Sequence, residues 1–258
     1  MKKLLPFLGV LSLAVFFIGC EEEEPTEPTK LAPPTNLTIA VAGADSLSLT
    51  LTWDASADTV DGYLVYFEDD VIDTVTATKS LTYTDTPTSL GDYKVTAYKG
   101  NKESDPTSKV SSRLVEVINQ GPVYIVPSPL GPSGYGWASD GTGSTYSLGT
   151  VDNRQNTDKV DFVFDSDTTL TNPHTFDADF EHVTGIAYND TWTYDNLTEA
   201  PSSGFMAFKD VVDGGTYILW IHGKYYVKIK ITVGTESGWP KTTFKYGFQK
   251  IAGFRRLK

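Results

Sequence analysis

Leu47-Ser48-Leu49-Thr50-Leu51-Thr52-Trp53 is the stretch on which the fold of the first half of the chain turns. Leu47, Leu49, Leu51 and Trp53 fall on one face of an extended chain and Ser48, Thr50 and Thr52 on the other, so one face meets a core and the other meets water. The same period of two returns after the turn pair Asp61-Gly62, with Tyr63, Val65 and Phe67 on one side and Leu64 and Tyr66 on the other, and again from Tyr93 through Val95 to Ala97. Between Pro34 and Ile118 these runs are separated by turn clusters roughly every 8 to 12 residues, the spacing of an all-β sandwich.

The whole chain has 258 residues, a single cysteine, and 33 acidic against 21 basic residues, a net charge of -12. That length accommodates two domains of ordinary size. One cysteine permits neither an internal disulfide nor a thiolate metal cluster. A charge this negative repels phosphate backbones, which excludes nucleic acid as an expected partner.

In residues 34–118 the pattern resembles a fibronectin type III domain. The residues that carry it are Pro33-Pro34 with Leu37, then Trp53, then Tyr63 in Asp61-Gly62-Tyr63-Leu64-Val65-Tyr66, and finally Leu90 before Tyr93-Lys94-Val95-Thr96-Ala97-Tyr98. The resemblance implies an immunoglobulin-like sandwich with Trp53 in its core and Tyr93 as the tyrosine-corner residue, its hydroxyl bonded to nearby backbone. The loop from Lys99 to Ser104 lacks the Arg-Gly-Asp tripeptide that some members use for adhesion.

At the N-terminus, Lys2 and Lys3 precede the apolar run Leu4 to Ile18, the layout of a secretory signal peptide over residues 1–19. Ile18-Gly19-Cys20 resembles the bacterial lipoprotein cleavage box, which implies that Cys20 becomes the acylated first residue of the mature protein and its lipid anchor. Glu21 to Glu24 and Pro25-Thr26-Glu27-Pro28 open a tether over residues 20–33 that is too charged and proline-rich to bury a core. Acidic runs after the lipidated cysteine resemble the export signal of surface lipoproteins of Gram-negative bacteria, which implies an outer-membrane location with the chain displayed outward; a periplasm-facing spacer is the other reading.

Asn119-Gln120-Gly121-Pro122 reads as a turn-rich join, and residues 122–258 form a second unit with 22 aromatics in 137 residues, against 7 in the 85 of the first. Aromatics favour pleated, half-buried surfaces, so this unit is expected to be an aromatic-rich antiparallel β domain with little helix. From Lys224 to Val233, Tyr225, Val227, Ile229, Ile231 and Val233 alternate with Lys224, Tyr226, Lys228, Lys230 and Thr232, giving one apolar and one basic face. A hairpin partner at 243–249 would set Phe244, Tyr246 and Phe248 on the same sheet. The stretch from Gly214 to Lys250, together with Asp158 to Phe164, is similar to HmuY-like haem-binding surface lipoproteins. That likeness implies a fold and admits haem as a cofactor, but no motif around His174, His182 or His222 matches the family's axial ligands.

Candidate sites are few. Asp177, Asp179 and Glu181 alternate with Phe176, Ala178 and Phe180, so on a strand three carboxylates would share one face and could hold a hard cation; a solvated outer face gives the same alternation. Gly134-Tyr135-Gly136-Trp137 and Trp192-Thr193-Tyr194 set flat rings among small or polar neighbours, as ligand-binding platforms do and as core rings also do. Asp140-Gly141-Thr142 lacks the alternating acids of a calcium loop and reads as a turn. His222, beside Trp220, reads as a structural histidine. No nucleophile elbow, zinc signature or phosphate loop is present, so catalysis is not expected. Residues 215–258 carry 9 basic and 1 acidic residue, a local basic end on an acidic chain. The expectation is a membrane-anchored, non-catalytic protein whose second domain meets a glycan, a protein or a small ligand, with haem capture or an envelope glycan hydrolase as the alternatives.

Overall fold

The computed structural model describes residues 30–258; the signal segment, Cys20 and the tether as far as residue 29 lie outside the described residues. The first part comprises β1 (Thr35–Ala42), β2 (Ser48–Asp54), β3 (Gly62–Phe67), β4 (Asp70–Thr76), β5 (Thr82–Asp85), β6 (Asp92–Lys99), β7 (Lys102–Glu103) and β8 (Val110–Ser111). β1, β2 and β5 make one antiparallel sheet, and β4, β3, β6 and β7 the other, with β8 also on β6. This is the immunoglobulin-like sandwich that the resemblance to fibronectin type III domains implies. Leu49, Leu51 and Trp53 of β2 face Tyr63, Val65, Tyr93 and Val95 of the opposite sheet in one buried cluster, each large aliphatic side chain contributing about 1.5–3 kcal/mol on burial.

Two details depart from expectation. The Tyr93 hydroxyl donates to Asp85 Oδ2 at 2.6 Å rather than to backbone, because β5 ends with that carboxylate, a stronger acceptor than a carbonyl, beside the ring. The last strand of the sandwich is split into β7 and β8 around Pro106, and three hydroxyls fill the ladder: Ala97 N donates to Ser104 Oγ, Val95 N to Thr107 Oγ1 and Gly91 N to Ser112 Oγ.

The second part comprises β9 (Val115–Tyr124), β10 (Gly134–Trp137), β11 (Gly143–Tyr146), β12 (Gly149–Thr150), β13 (Asn153–Arg154), β14 (Phe162–Phe164), β15 (Thr169–Thr171), the single helical turn α1 (Pro173–Phe176), β16 (Gly185–Tyr188), β17 (Phe208–Asp210), β18 (Thr216–Ile221), β19 (Tyr225–Glu236) and β20 (Trp239–Phe248). One sheet runs β11-β10-β14-β15-β17 and the other β16-β18-β19-β20-β9. Tyr135, Trp137, Phe162, Phe164 and Leu170 of the first meet Tyr217, Leu219, Val227, Ile229, Phe244 and Tyr246 of the second. The hairpin β19–β20 has the expected alternation, with Val227, Ile229 and Ile231 inward and Phe244 opposite Ile231.

The other face of β19 is not the open basic surface that the sequence suggests. Tyr226 and Lys228 are buried there, under a layer in which Leu197, Ala200 and Leu257 pack on Ile218. The Lys228 ammonium donates to the carbonyls of Leu257 (2.9 Å) and Tyr194 (3.4 Å) and lies over the Tyr194 ring; burial pushes it below the ordinary lysine value, with Glu116 opposing.

The expected join at 119–122 lies inside β9, where Asn119 and Gly121 take positive φ and the pairing with β20 is bulged. Residues Leu31–Lys258 are one unit. After β20 the chain returns to the sandwich, where Ile251 and Phe254 complete its core cluster. Among the described residues no helix is long and apolar enough to cross a membrane.

Candidate metal centre

Asp161 stands between Val160 and Phe162, and all three are fully buried. It is brought there by Gly136: a Cβ at that position would lie 1.8 Å from the Lys159 carbonyl oxygen and 3.2 Å from Asp161 N, so only glycine lets β10 approach the 159–161 backbone this closely. Asp161 N then donates to Tyr135 O at 2.7 Å, and Trp137 N donates to Asp161 Oδ2 at 2.7 Å. One carboxylate oxygen is thereby fixed by backbone, and Oδ1 is turned toward the end of the opposite sheet.

Two histidines leave that end together. Gly185, the first residue of β16, pairs with Trp220 of β18, so His182, three residues before it, and His222, just after β18, emerge from the same end of the same strand pair. The 177–184 loop that carries His182 is pinned by Asn172, whose Oδ1 accepts from Thr184 N at 3.1 Å. His222 and Gly223 occupy the β-turn closed by Lys224 N donating to Ile221 O, both at positive φ, +53° and +61°. A left-handed histidine costs on the order of 1–2 kcal/mol, a local strain of the kind that gathers at functional sites.

His182 Nδ1 and His222 Nε2 each lie 2.9 Å from Asp161 Oδ1, and the two rings are 4.3 Å apart between centroids. None of these three buried atoms makes an aligned hydrogen bond. The three donors lie within 4.8 Å of one another. Bonds of about 2.0–2.2 Å to one ion would set its donors roughly 3–4 Å apart, so small side-chain rotations suffice to seat one. Two imidazoles and a carboxylate suit borderline divalent ions such as zinc, nickel or ferrous iron, whereas calcium and magnesium prefer all-oxygen sets. The backbone bond to Oδ2 is the outer-shell contact that orients such a ligand. The Asp161 carboxylate raises the His182 imidazole above its ordinary value against the opposing effect of burial, with Asp158 and Glu181 adding to the rise. Both imidazole side chains retain 21% exposure, although the nitrogens that face Asp161 are themselves buried.

None of the side chains singled out from sequence as candidate sites is among these three donors. Asp177, Asp179 and Glu181 are not on a strand. Asn172 caps α1 with Pro173 in its first turn, and the chain then turns at Asp177, so the alternation never becomes a shared face. Asp177 accepts from Asp179 N and binds Arg154 at 2.7 Å, which hold its carboxyl below the usual range, the backbone bond most. Tyr135, Trp137 and Tyr194 are buried, which corrects their reading as a surface platform. The glycines around them serve close packing: a Cβ at Gly143 would fall 2.1 Å from the Tyr135 hydroxyl. Trp192 is half-buried against the Leu197 layer. His174 Nδ1 is satisfied by Phe180 O at 2.7 Å. Asp140 accepts from Thr142 N and closes a turn. Cys20 lies outside the described residues. His222, read from sequence as a structural histidine, converges with His182 on Asp161; the one local signal was that acid, set in the inward-facing run Val160 to Phe164.

No family model matches the chain, and no curated protein matches it. Solved structures similar to it include a fibronectin-III-like protein from Clostridium thermocellum, 23% identical over 32% of this chain and 92% of that one, with a TM-score of 0.28, and the central fibronectin-III array of RIM-binding protein, 11% identical over 84% of this chain and 72% of that one, also with a TM-score of 0.28.

Proposed function

We propose that this is a lipid-anchored protein of a Gram-negative cell surface in which a fibronectin-type sandwich carries a C-terminal β domain that binds one divalent transition-metal ion through Asp161, His182 and His222, and does so without catalysis. The observation that carries the metal reading is the convergence of three donor atoms from three separate segments on a carboxylate with no exposed surface, none of them in an aligned hydrogen bond. The buried carboxylate gathers both imidazole nitrogens at 2.9 Å, and one bound dication would satisfy all three donors at once. Support for the anchor comes from the sequence alone, from Cys20 after its apolar leader and before the acidic tether.

Haem capture fits this geometry poorly. Axial ligands flank a porphyrin from opposite faces, whereas here both nitrogens rest against one carboxylate oxygen and the rings are 4.3 Å apart, leaving no slot for the macrocycle.

Calorimetric titration of the purified mature protein with zinc and with nickel tests the reading. One-to-one binding is expected, lost by roughly a hundredfold or more in His182→Ala and in His222→Asn. The second substitution keeps a residue that tolerates the left-handed turn, so its thermal midpoint should equal or exceed that of the parent. Binding unchanged in both variants would overturn the proposal. Labelling with a radioactive fatty acid, abolished in Cys20→Ser, tests the anchor.

A further inference from the structure

A pocket of about 130 Å³ lies between the 126–133 loop and the β12–β13 hairpin, with Val126 and Leu148 in its wall and Ser128, Ser133, Ser147 and Arg154 as its polar side chains. That is below the range of sites for drug-sized molecules, so only a small group enters. No carboxylate lines it, on a chain with 33 acidic residues, and none of Asp161, His182 and His222 is on its wall. The Arg154 side chain is 10% exposed. Its Nε donates to Asp177 Oδ2 at 2.7 Å, and its guanidinium carbon lies 5.2 Å from the centre of the Phe176 ring and 6.0 Å from that of Phe180. The guanidinium is thereby fixed along one edge and against two rings. Among the described residues its two terminal nitrogens make no hydrogen bond, and neither is sealed from solvent. Four of its five N–H groups are left over. Ser133 is 7% exposed, and neither its hydroxyl nor that of Ser147 has a hydrogen-bond partner among the described residues. The Ser128 hydroxyl accepts from Leu130 N at 3.2 Å and keeps its own proton to donate. Pro127, Pro129 and Pro132 fix φ along the loop and hold its two serines in place. Ser147 and Gly149 are exposed while Ser133 and Leu148 are buried, which sets a mouth and a floor.

We propose that this pocket holds one tetrahedral oxyanion, a phosphate or sulfate group, on the terminal edge of Arg154 and the three serine hydroxyls. The planar fork of an arginine presents parallel N–H groups to two oxygens at once. The remaining oxygens fall to hydroxyls from two other segments, Ser128 and Ser133 on the loop and Ser147 after β11. Donors arriving from several directions suit a tetrahedral group better than a carboxylate, whose two oxygens lie in one plane. Asp177 takes part of the positive charge but fixes the fork from its Nε edge, so little rotamer freedom is lost on binding.

The test is an amide NMR titration of the metal-free mature protein with sodium phosphate, sulfate and acetate at constant ionic strength. Phosphate and sulfate are expected to saturate one site and to shift the amides of residues 128–133 and 147–154, with acetate at least roughly tenfold weaker. Ser133→Ala and Ser147→Ala should each weaken phosphate binding by roughly tenfold, the worth of a hydrogen bond to a charged group. Arg154→Lys keeps a charge beside Asp177 and loses the fork, and should weaken it at least as much. Ser147 is exposed, so its variant keeps the test open even if Arg154→Lys fails to fold. His182→Ala should leave phosphate affinity unchanged, so this site and the metal centre stand or fall separately. Methyl phosphate binding as tightly as phosphate would place the anion at the end of a larger molecule, and its exclusion would make the free anion the ligand; the oxyanion assignment stands in both cases. Shifts that do not saturate, acetate equal to phosphate, or an affinity indifferent to Ser133→Ala and Ser147→Ala would overturn it.

Discussion

At the residue scale the centre depends on an atom that is missing. Gly136 has no side chain, and the 1.8 Å clearance to the Lys159 carbonyl shows why none is tolerated. Gly136→Ala is expected to cost roughly 1–3 kcal/mol, the usual range for overpacking, and to shift Asp161 enough to weaken zinc binding. Gly234→Ala, where the nearest atom would be the Lys241 Cε at 3.9 Å, should stay within about 0.5 kcal/mol of the parent. Chemical denaturation paired with zinc titration reads both effects. If Gly136→Ala matched the control, the close approach would not be what positions Asp161.

Among the elements, the smallest one matters most to the site. α1 is a single turn, and Asn172 holds both its start and the loop beyond, accepting from His174 N (3.3 Å) and from Thr184 N (3.1 Å) with one oxygen. Asn172→Ala leaves these amides without their acceptor and should cost about 1–2 kcal/mol. Because His182 rides on that loop, zinc affinity should fall as well, although Asn172 is not among the three donors. A stability loss without any change in zinc affinity would show that the loop is held by other contacts. The carboxylate-strand reading fails just beyond this element: Phe176-Asp177-Ala178-Asp179-Phe180-Glu181 alternates like a strand, but α1 ends at Phe176 and the chain turns at once over 178–179, with Asp179 N donating to Asp177 Oδ1, so the six residues never extend.

For the whole molecule, the C-terminal tail is a structural part of the first domain. Phe254 is fully buried with Ile251 in the core that also holds Leu49 and Trp53, so Phe254→Ala should cost about 3–5 kcal/mol and lower the midpoint of the sandwich and of the second domain together in scanning calorimetry. Two separated transitions, with only one displaced, would contradict this. Alkaline pH acts on the same scale. Burial raises the phenols of Tyr93, Tyr135 and Tyr194 above the ordinary 10.0 and pushes Tyr217 up to about 12. The folded state therefore binds more protons than the unfolded state above pH 10; the stability these groups contribute is complete below pH 10 and is lost as pH rises toward 12. Denaturant midpoints should fall steeply above pH 10, and part of the 14 tyrosines should ionise only on unfolding.

Local pattern determined the all-β class, the sandwich of residues 34–118 and the β19–β20 hairpin, because a period of two acts within a few residues: Leu49, Leu51 and Trp53 had one face to bury, as did Val227, Ile229 and Ile231. It also supplied the anchor reading at Cys20, which rests on the chemistry of a processing motif and not on folding. Only the tertiary structure decided the rest. Periodicity says which face is buried but not what covers it, so Lys228 read as solvated until residues 194–200 and the tail were laid over it. Nor does it relate residues 21 and 40 positions apart: Asp161, His182 and His222 meet because β16 and β18 pair in one register and a glycine admits one close approach, and neither condition leaves a mark near any one of the three.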